Sequence, residues 1–178
     1  VHRFCSKFLF EQDKIPADSA IIDDEEAVSI IADYRNEDEE GVTRDFNRYK
    51  GYQTIIFFQH FIYQMEHQHP WKYYLHPESF TDDDREAIKQ ICKSQKREYN
   101  EQAVIDIYHH AQQYMDEANV PGLDAKTADR IRVLLWKMYY AACYAQYKEE
   151  NHLIDFEDLL LKTYDIYSTD ETCKRYQW

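Results

Sequence analysis

The stretch HLIDFEDLLLKTY, residues 152–164, decides the fold. Asp155 can accept hydrogen bonds from the free N–H groups of a first helical turn, and the acidic residues that follow it favour the positive end of the helix dipole. The stretch therefore predicts a long amphipathic helix from Asp155, with Asp158, Lys162 and Asp165 facing water. Mostly apolar or aromatic side chains, with one threonine, recur at spacings of three and four and form its buried face: Phe156, Leu159, Leu160, Thr163 and Tyr167.

The composition indicates the same architecture for the whole chain. It has 178 residues, only 3 glycines and 4 prolines, 31% charged residues and 44% hydrophobic residues. Hairpins and barrels need more turn residues than this, so we predict an all-α multi-helix bundle. No run approaches the roughly 20 apolar residues of a membrane span. The four cysteines are widely spaced and form no CxxC pair, so we expect reduced thiols in a cytoplasmic protein.

Hydrophobic periodicity and capping signals predict a series of helices along the chain. The TIIFF run at 54–58 could also be read as a strand, but no neighbouring segment supplies a partner, so we predict helix there. An aromatic loop around Trp71 lies between two prolines and is expected to pack on the core. The predicted helices cover residues 1–12, 23–36, 44–68, 82–99 and 100–118, then a segment from 124 or 127 to about 147, and the one that begins at Asp155.

One row of positive charge is organised enough to bind nucleic acid. The net charge is −13, so any such contact has to be a local patch. On the helix predicted over 82–99, basic residues recur every four positions and form a row about 18 Å long at a rise of ~1.5 Å per residue. Such a row can follow a phosphate backbone, although Lys and Arg on a helix are commonly only its solvated face. The row consists of Arg85, Lys89, Lys93 and Arg97, with Lys96 beside them.

The residues alone predict no catalytic and no metal site. The three glycines belong to no phosphate-binding loop, and a helix N-terminus explains the acidic run at 23–26. Glu66-x-x-His69 and Glu149-x-x-His152 have the spacing that di-iron bundles use. Each pair lies at a predicted helix end, however, and no further ligands can be identified on core faces. We interpret all four as surface residues.

Both ends of the chain resemble superfamily 1 DNA helicases of the UvrD/Rep/PcrA type. The first five residues, Val-His-Arg-Phe-Cys, resemble the Thr-x-His-x-Phe-Cys element of that family without its leading Thr. Residues 21–25, IIDDE, resemble the helix start that follows this element in the family. Residues 155–160, DFEDLL, resemble the Asp-Phe-x-Asp-Leu-Leu helix that precedes the Asp-Glu-x-Gln ATPase motif, and Tyr176 matches a tyrosine just before that motif's strand.

The resemblance covers residues 1–31 and 144–178 and implies an organisation for the whole chain. Residues 1–178 would be a single helical domain, the 1B accessory subdomain inserted into a RecA-like helicase domain. Residues 1–12 and 168–178 would be its junctions to an ATPase core elsewhere in the helicase chain. The region from about 40 to 140 resembles nothing, so its role is inferred from position alone.

The resemblance also implies a function. The chain would be a monomeric DNA-binding subdomain of an ATP-dependent 3′-to-5′ DNA helicase, contacting DNA at a single-strand/duplex junction. It would hold no cofactor and perform no catalysis, because ATP and Mg²⁺ would bind to the rest of the helicase chain. His2 and Arg3 would contact DNA, and this context favours DNA contact by the basic row as well. The residues implied at the junction with the core are Phe4, Asp155, Phe156 and Asp158.

Two other functions stay open at this point. A helical protein-interaction module is favoured by the acidic balance of the chain and by the aromatic loop around Trp71. A metal-binding helical bundle enzyme is the second alternative, based on the two Glu-x-x-His pairs. The three functions differ in an observable way, because DNA binding falls steeply with salt concentration and a metal enzyme holds a stoichiometric ion.

Overall fold

A computed structural model describes residues 2–36, 48–68 and 80–169. Within these ranges the chain is all-α, which confirms the predicted fold class. It contains seven α-helices, one 3-10 helix and two strands of two residues each. In chain order these are α1 (His2–Glu11), β1 (Ala20–Ile21), α2 (Asp24–Asn36), α3 (Arg48–Glu66), α4 (Asp82–Ser94), α5 (Glu101–His109), the 3-10 helix (Ala111–Asn119), α6 (Ala125–Glu150), β2 (Leu153–Ile154) and α7 (Phe156–Thr169).

Side-chain caps fix where the central helices begin. The Thr81 hydroxyl accepts a hydrogen bond from the Asp84 backbone N–H, and the Asp84 carboxylate accepts one from the Thr81 backbone N–H. The Asn100 side chain caps α5 by accepting from the backbone N–H of Ala103, and Asp124 caps α6 by accepting from the backbone N–H of Thr127 at 2.8 Å. These interactions satisfy N–H groups that have no partner inside the helix. The three helices therefore begin within a few residues of their predicted starts.

Two predicted helices end earlier than expected. The helix predicted over 82–99 stops at Ser94, because Lys96 adopts the left-handed backbone conformation with φ 53°. The backbone N–H of Arg97 then donates to the carbonyl of Cys92 and closes the turn. The helix predicted over 100–118 divides at His110 into α5 and the 3-10 helix. The TIIFF run lies inside α3, as predicted, and the aromatic loop around Trp71 lies outside the described residues.

The main core is built around α6, against which α3, α4 and the 3-10 helix pack. Apolar side chains at helical spacing on α6 face this core, and Leu134 and Met138 are fully excluded from solvent. Aromatic rings from α3 fill the space opposite it, and Phe61 stacks on Phe80 with ring centroids 4.7 Å apart. Burial of this apolar surface is the main favourable contribution to folding.

The two ends of the sequence form a smaller unit, called the end unit below, which consists of α1, β1, β2 and α7. β1 pairs with β2 in parallel, with Ala20 opposite Leu153 and Ile21 opposite Ile154, and α1 packs on α7. The unit has its own hydrophobic cluster of buried residues: Cys5, Phe8, Leu9, Ile15, Ile154 and Leu159. This strand pairing was not predicted, because a two-residue strand shows no periodicity and its partner lies near the other end of the sequence.

Three further expectations from the sequence can be compared with the structure. Asp158, predicted to face water, is buried, with only 5% of its surface exposed. None of the helices within the described residues has the length and hydropathy needed to cross a lipid bilayer. Cys5, Cys92 and Cys143 are free thiols, and the first two are buried.

Candidate functional site

The first candidate DNA-contact residues, His2 and Arg3, lie exposed at the start of α1. The His2 ring stacks on the Phe156 ring, with centroids 4.7 Å apart and planes within 5° of parallel. Together with Lys7 they border a shallow groove of about 390 Å³ on the surface of the end unit. Phe4, also on α1, is 38% exposed. The end unit therefore presents cationic and aromatic side chains on one surface.

The basic row on α4 is shorter than the sequence predicted. Lys89 and Lys93 are exposed on the helix, and Lys96 is exposed just beyond its end. Lys89 forms an ion pair with Glu86 at 3.5 Å. Lys93 and Lys96 form no ion pair with any residue in the described ranges. Arg85 donates to Asp82 at 2.9 Å and lies over the Phe80 ring, so its guanidinium already interacts with groups of the protein.

Arg97 does not belong to the row, which corrects the sequence prediction. It follows the turn at Lys96, and its guanidinium donates to the Asp106 carboxylate at 2.9 Å. This hydrogen bond raises the pKa of Arg97 and lowers the pKa of Asp106. The cause is the early end of α4, since a helix continuing to residue 99 would have carried Arg97 on the same face as Lys93.

A buried group of polar and charged side chains joins α3, α6 and α7, and we call it the ionic cluster. The Lys148 ammonium donates to three side-chain oxygens, at 2.7 Å to Asp158 Oδ2, 2.8 Å to Gln59 and 3.2 Å to Asp155 Oδ2. Asp155 Oδ2 also accepts from the Tyr144 hydroxyl at 2.6 Å and from His60 Nε2 at 2.9 Å. All six members of the cluster are buried: Gln59, His60, Tyr144, Lys148, Asp155 and Asp158.

The two aspartates of the ionic cluster also form the start of α7. The backbone N–H of Asp158 donates to Asp155 Oδ1 at 2.8 Å, and the backbone N–H of Asp155 donates to Asp158 Oδ2 at 3.2 Å. The predicted cap by Asp155 is thus confirmed, and Asp158 returns it in a reciprocal capping box. One pair of carboxylates therefore both starts α7 and binds that helix to α3 and α6.

Neighbouring charges decide the protonation of the ionic cluster. Burial alone favours neutral forms, but the charges of Asp155 and Asp158 outweigh it and raise the pKa of Lys148. Burial would likewise raise the pKa of Asp155, but the His60 and Lys148 charges and their hydrogen bonds bring it well below its usual range. Burial, followed by the Asp155 charge, raises the pKa of Tyr144. The cluster therefore holds an ammonium and ionised carboxylate in the interior.

Acid is expected to weaken the fold through Asp155. Its pKa in the folded protein is depressed, whereas an aspartate in an unfolded chain has a pKa of about 3.9. The stabilisation from the ionised Asp155 is therefore complete above about pH 5. It is lost progressively as the pH falls from there toward the depressed pKa of Asp155 in the folded protein. Urea unfolding at about pH 7 and pH 3.5 measures the loss, which Asp155→Asn should reduce. An identical pH dependence in the two proteins would contradict this assignment.

A groove of about 580 Å³ lies above the ionic cluster, and Gln59, Lys148 and Asp158 form part of its floor. On its walls Glu66 pairs with His109 at 2.7 Å, and His152 pairs with Asp18 at 2.7 Å. The hydrogen bond from His152 lowers the pKa of Asp18. Glu66 and His152 thus pair with residues other than their Glu-x-x-His partners. His69 lies outside the described residues.

Within the described ranges, one group of three potential metal ligands comes together: His60, Asp155 and Asp158. The sequence did not single out His60, Lys148 or Gln59, because their burial depends on three helices that meet only in the fold. One signal for Lys148 was present. The α6 core stripe runs through Ala141 and Tyr144 at helical spacing, and its next member is residue 148, where a lysine stands.

Comparison of the chain with protein-family models, with curated proteins and with solved structures finds no match.

Proposed function

We propose that the chain is a DNA-binding accessory subdomain of a UvrD-like ATP-dependent 3′-to-5′ DNA helicase, without ATPase activity of its own. The observation that carries the proposal is the end unit. The segments that resemble the helicase family come from opposite ends of the sequence, and they pack together as α1, β1, β2 and α7 around one hydrophobic cluster. A resemblance confined to two distant segments is supported when those segments form one structural unit.

In this proposal the end unit is the base of the subdomain. Phe4 and Tyr164 are large apolar side chains that it leaves exposed, at 38% and 49%, and they suit a junction with a RecA-like core. The four residues implied at that junction have two different roles. Phe4 and Phe156 lie at or near the surface of α1 and α7, whereas Asp155 and Asp158 are buried and hold the end unit to the helical bundle.

DNA contact in this proposal is electrostatic and independent of sequence. Arg3 and Lys7 border the groove beside the stacked rings of His2 and Phe156, a combination of cations and aromatic faces that suits a single strand. Lys93 and Lys96 at the end of α4 would neutralise backbone phosphates, with no reading of bases. The chain as a whole is acidic, so binding depends on these local patches.

Charge reversal at the end of α4 is expected to weaken DNA binding. The double variant Lys93→Glu/Lys96→Glu should reduce affinity for a forked duplex at least tenfold at low salt. It should also lower the slope of log affinity against log salt concentration by about two, since each lost phosphate contact contributes about 0.9. Fluorescence anisotropy with a labelled fork at several salt concentrations measures both quantities.

The matched control for this experiment is Lys126→Glu/Arg132→Glu. It changes the net charge by the same amount at exposed positions on α6 that lie outside the proposed patches. We expect it to keep the wild-type salt slope. If both double variants lose DNA affinity equally, the effect comes from net charge and not from the patch. If the unmodified chain shows no salt-dependent DNA binding, the proposal is contradicted. Salt-insensitive capture of a protein would instead favour an interaction module, whose supporting loop around Trp71 lies outside the described residues.

A further inference from the structure

We infer that His60 and Asp158 form a binding site for a divalent first-row transition metal ion inside the ionic cluster, next to the groove that Asp158 lines. This inference goes beyond DNA binding and does not depend on it. His60 is 3% exposed, and its Nδ1 atom is buried without a hydrogen-bond partner. A buried polar atom left unsatisfied is costly and requires an explanation. The Oδ1 atom of Asp158 lies 3.5 Å from it.

The distance between these two atoms suits a shared metal ion. With bonds of about 2.0–2.2 Å to each, ligand atoms 3.5 Å apart subtend roughly 110° at the ion, close to the tetrahedral angle preferred by Zn²⁺. A hydrogen bond over the same 3.5 Å would be long and weak. An imidazole nitrogen with a carboxylate oxygen favours Zn²⁺, Mn²⁺, Fe²⁺ or Co²⁺ over Mg²⁺ and Ca²⁺, which prefer oxygen ligands alone.

The other ring nitrogen of His60 is already placed as a metal-binding histidine requires. Nε2 lies 2.9 Å from Asp155 Oδ2, so Asp155 can hold the proton on Nε2 and leave the Nδ1 lone pair free. Carboxylates in this outer position orient the ring and make it a stronger ligand. Asp155 itself is held by Tyr144 and by the cap of α7. The arrangement Asp155–His60–metal–Asp158 therefore uses contacts that the fold has already formed.

The charge of the ionic cluster leaves room for one more cation. Lys148 supplies one positive charge to two buried carboxylates, and it binds both through their Oδ2 atoms. When the ion takes the place of a proton on Nδ1, the ring keeps its proton on Nε2, and Lys148 with the two carboxylates sums to a charge of −1 before the ion is counted. Lys148 donates to Oδ2 of Asp158, whereas Oδ1 is the atom next to His60 Nδ1, and Asp158 also borders the groove. Water or a ligand in the groove would complete the coordination of the ion.

The test uses the unmodified full chain and Zn²⁺ or Co²⁺ as the probe. Isothermal titration should show one Zn²⁺ bound per chain, and Co²⁺ should give the visible absorption of a bound, low-symmetry ion. Zinc should also shift the Nδ1 nitrogen resonance of His60 in the unmodified protein, a readout that needs no variant. His60→Gln should abolish this binding, whereas Asp155→Asn should weaken it about 10–100-fold, as expected for an outer-position carboxylate.

His110→Gln is the matched control, since His110 is an exposed histidine away from the ionic cluster; it should leave Zn²⁺ affinity unchanged. Three outcomes would overturn the inference. Zinc binding that survives in a folded His60→Gln protein would belong to surface histidines. If the His60 Nδ1 resonance in excess Zn²⁺ remains at the position of a protonated nitrogen, a proton and not a metal ion lies between His60 and Asp158. Absence of stoichiometric Zn²⁺ binding by the unmodified chain would be equally decisive.

Discussion

Replacing Lys148 with methionine is expected to lower the free energy of unfolding by about 3–5 kcal/mol, the usual cost of removing one partner from a buried ion pair. Lys148 is 5% exposed and donates to both Asp155 and Asp158. Methionine fills much of the same volume but leaves two buried carboxylates without this counter-charge. Urea denaturation followed by circular dichroism measures the difference between the two proteins.

Two comparisons separate this charge effect from a general loss of packing. Lys126→Met changes an exposed lysine at the start of α6 and should shift the free energy of unfolding by no more than about 0.5 kcal/mol. Adding Asp158→Asn to Lys148→Met should recover part of the loss, because fewer uncompensated charges remain buried. If Lys148→Met unfolds at the same urea concentration as the unmodified chain, the ionic cluster does not stabilise the fold.

Truncating Leu159 to alanine is expected to cost about 2–5 kcal/mol, since a fully buried leucine loses its packing and leaves a cavity. Leu159 has no exposed surface and belongs to the hydrophobic cluster that holds α1 on α7. The effect should be strongest in the end unit. Cys5 lies in the same cluster and is 4% exposed, so its alkylation, mapped by mass spectrometry, should become faster in the variant.

Leu160→Ala provides the control within the same helix. Leu160 is half-buried against the same cluster, so its truncation should cost less and should leave the alkylation of Cys5 nearly unchanged. Cys92, buried in the main core, is an internal reference. Faster alkylation of Cys92 and Cys5 to the same degree would mean that the whole chain unfolds as one unit, and that the end unit has no separate opening.

Local signals in the sequence predicted most of the helical architecture. The caps at Thr81, Asn100, Asp124 and Asp155 are interactions between residues three apart, and each is present in the structure. Hydrophobic periodicity predicted the helix that is α6. Helix ends were predicted less well, because the turn at Lys96 depends on a left-handed backbone conformation at a residue other than glycine. The pairing of β1 with β2 had no local signal at all.

The functional residues show the same division between local and distant interactions. The exposed positions of His2, Arg3, Lys89 and Lys93 agree with their predicted places on amphipathic helices. Asp158 was predicted to face water because it is charged and lies off the apolar stripe. Its partners, Lys148 on α6 and His60 on α3, come from other helices, and a charged residue is buried only when such partners are present.

Because β1 pairs with β2, the helical bundle is inserted between two neighbouring strands. The chain leaves the strand pair after Ile21 and returns to it at Leu153. Closing a loop costs only about 0.6 kcal/mol more for each doubling of its length. Insertions or deletions between these two points would therefore cost the end unit little, provided that α3 and α6 still supply its buried counter-charges. The length of the bundle can therefore change while the strand pair and the hydrophobic cluster of the end unit stay the same.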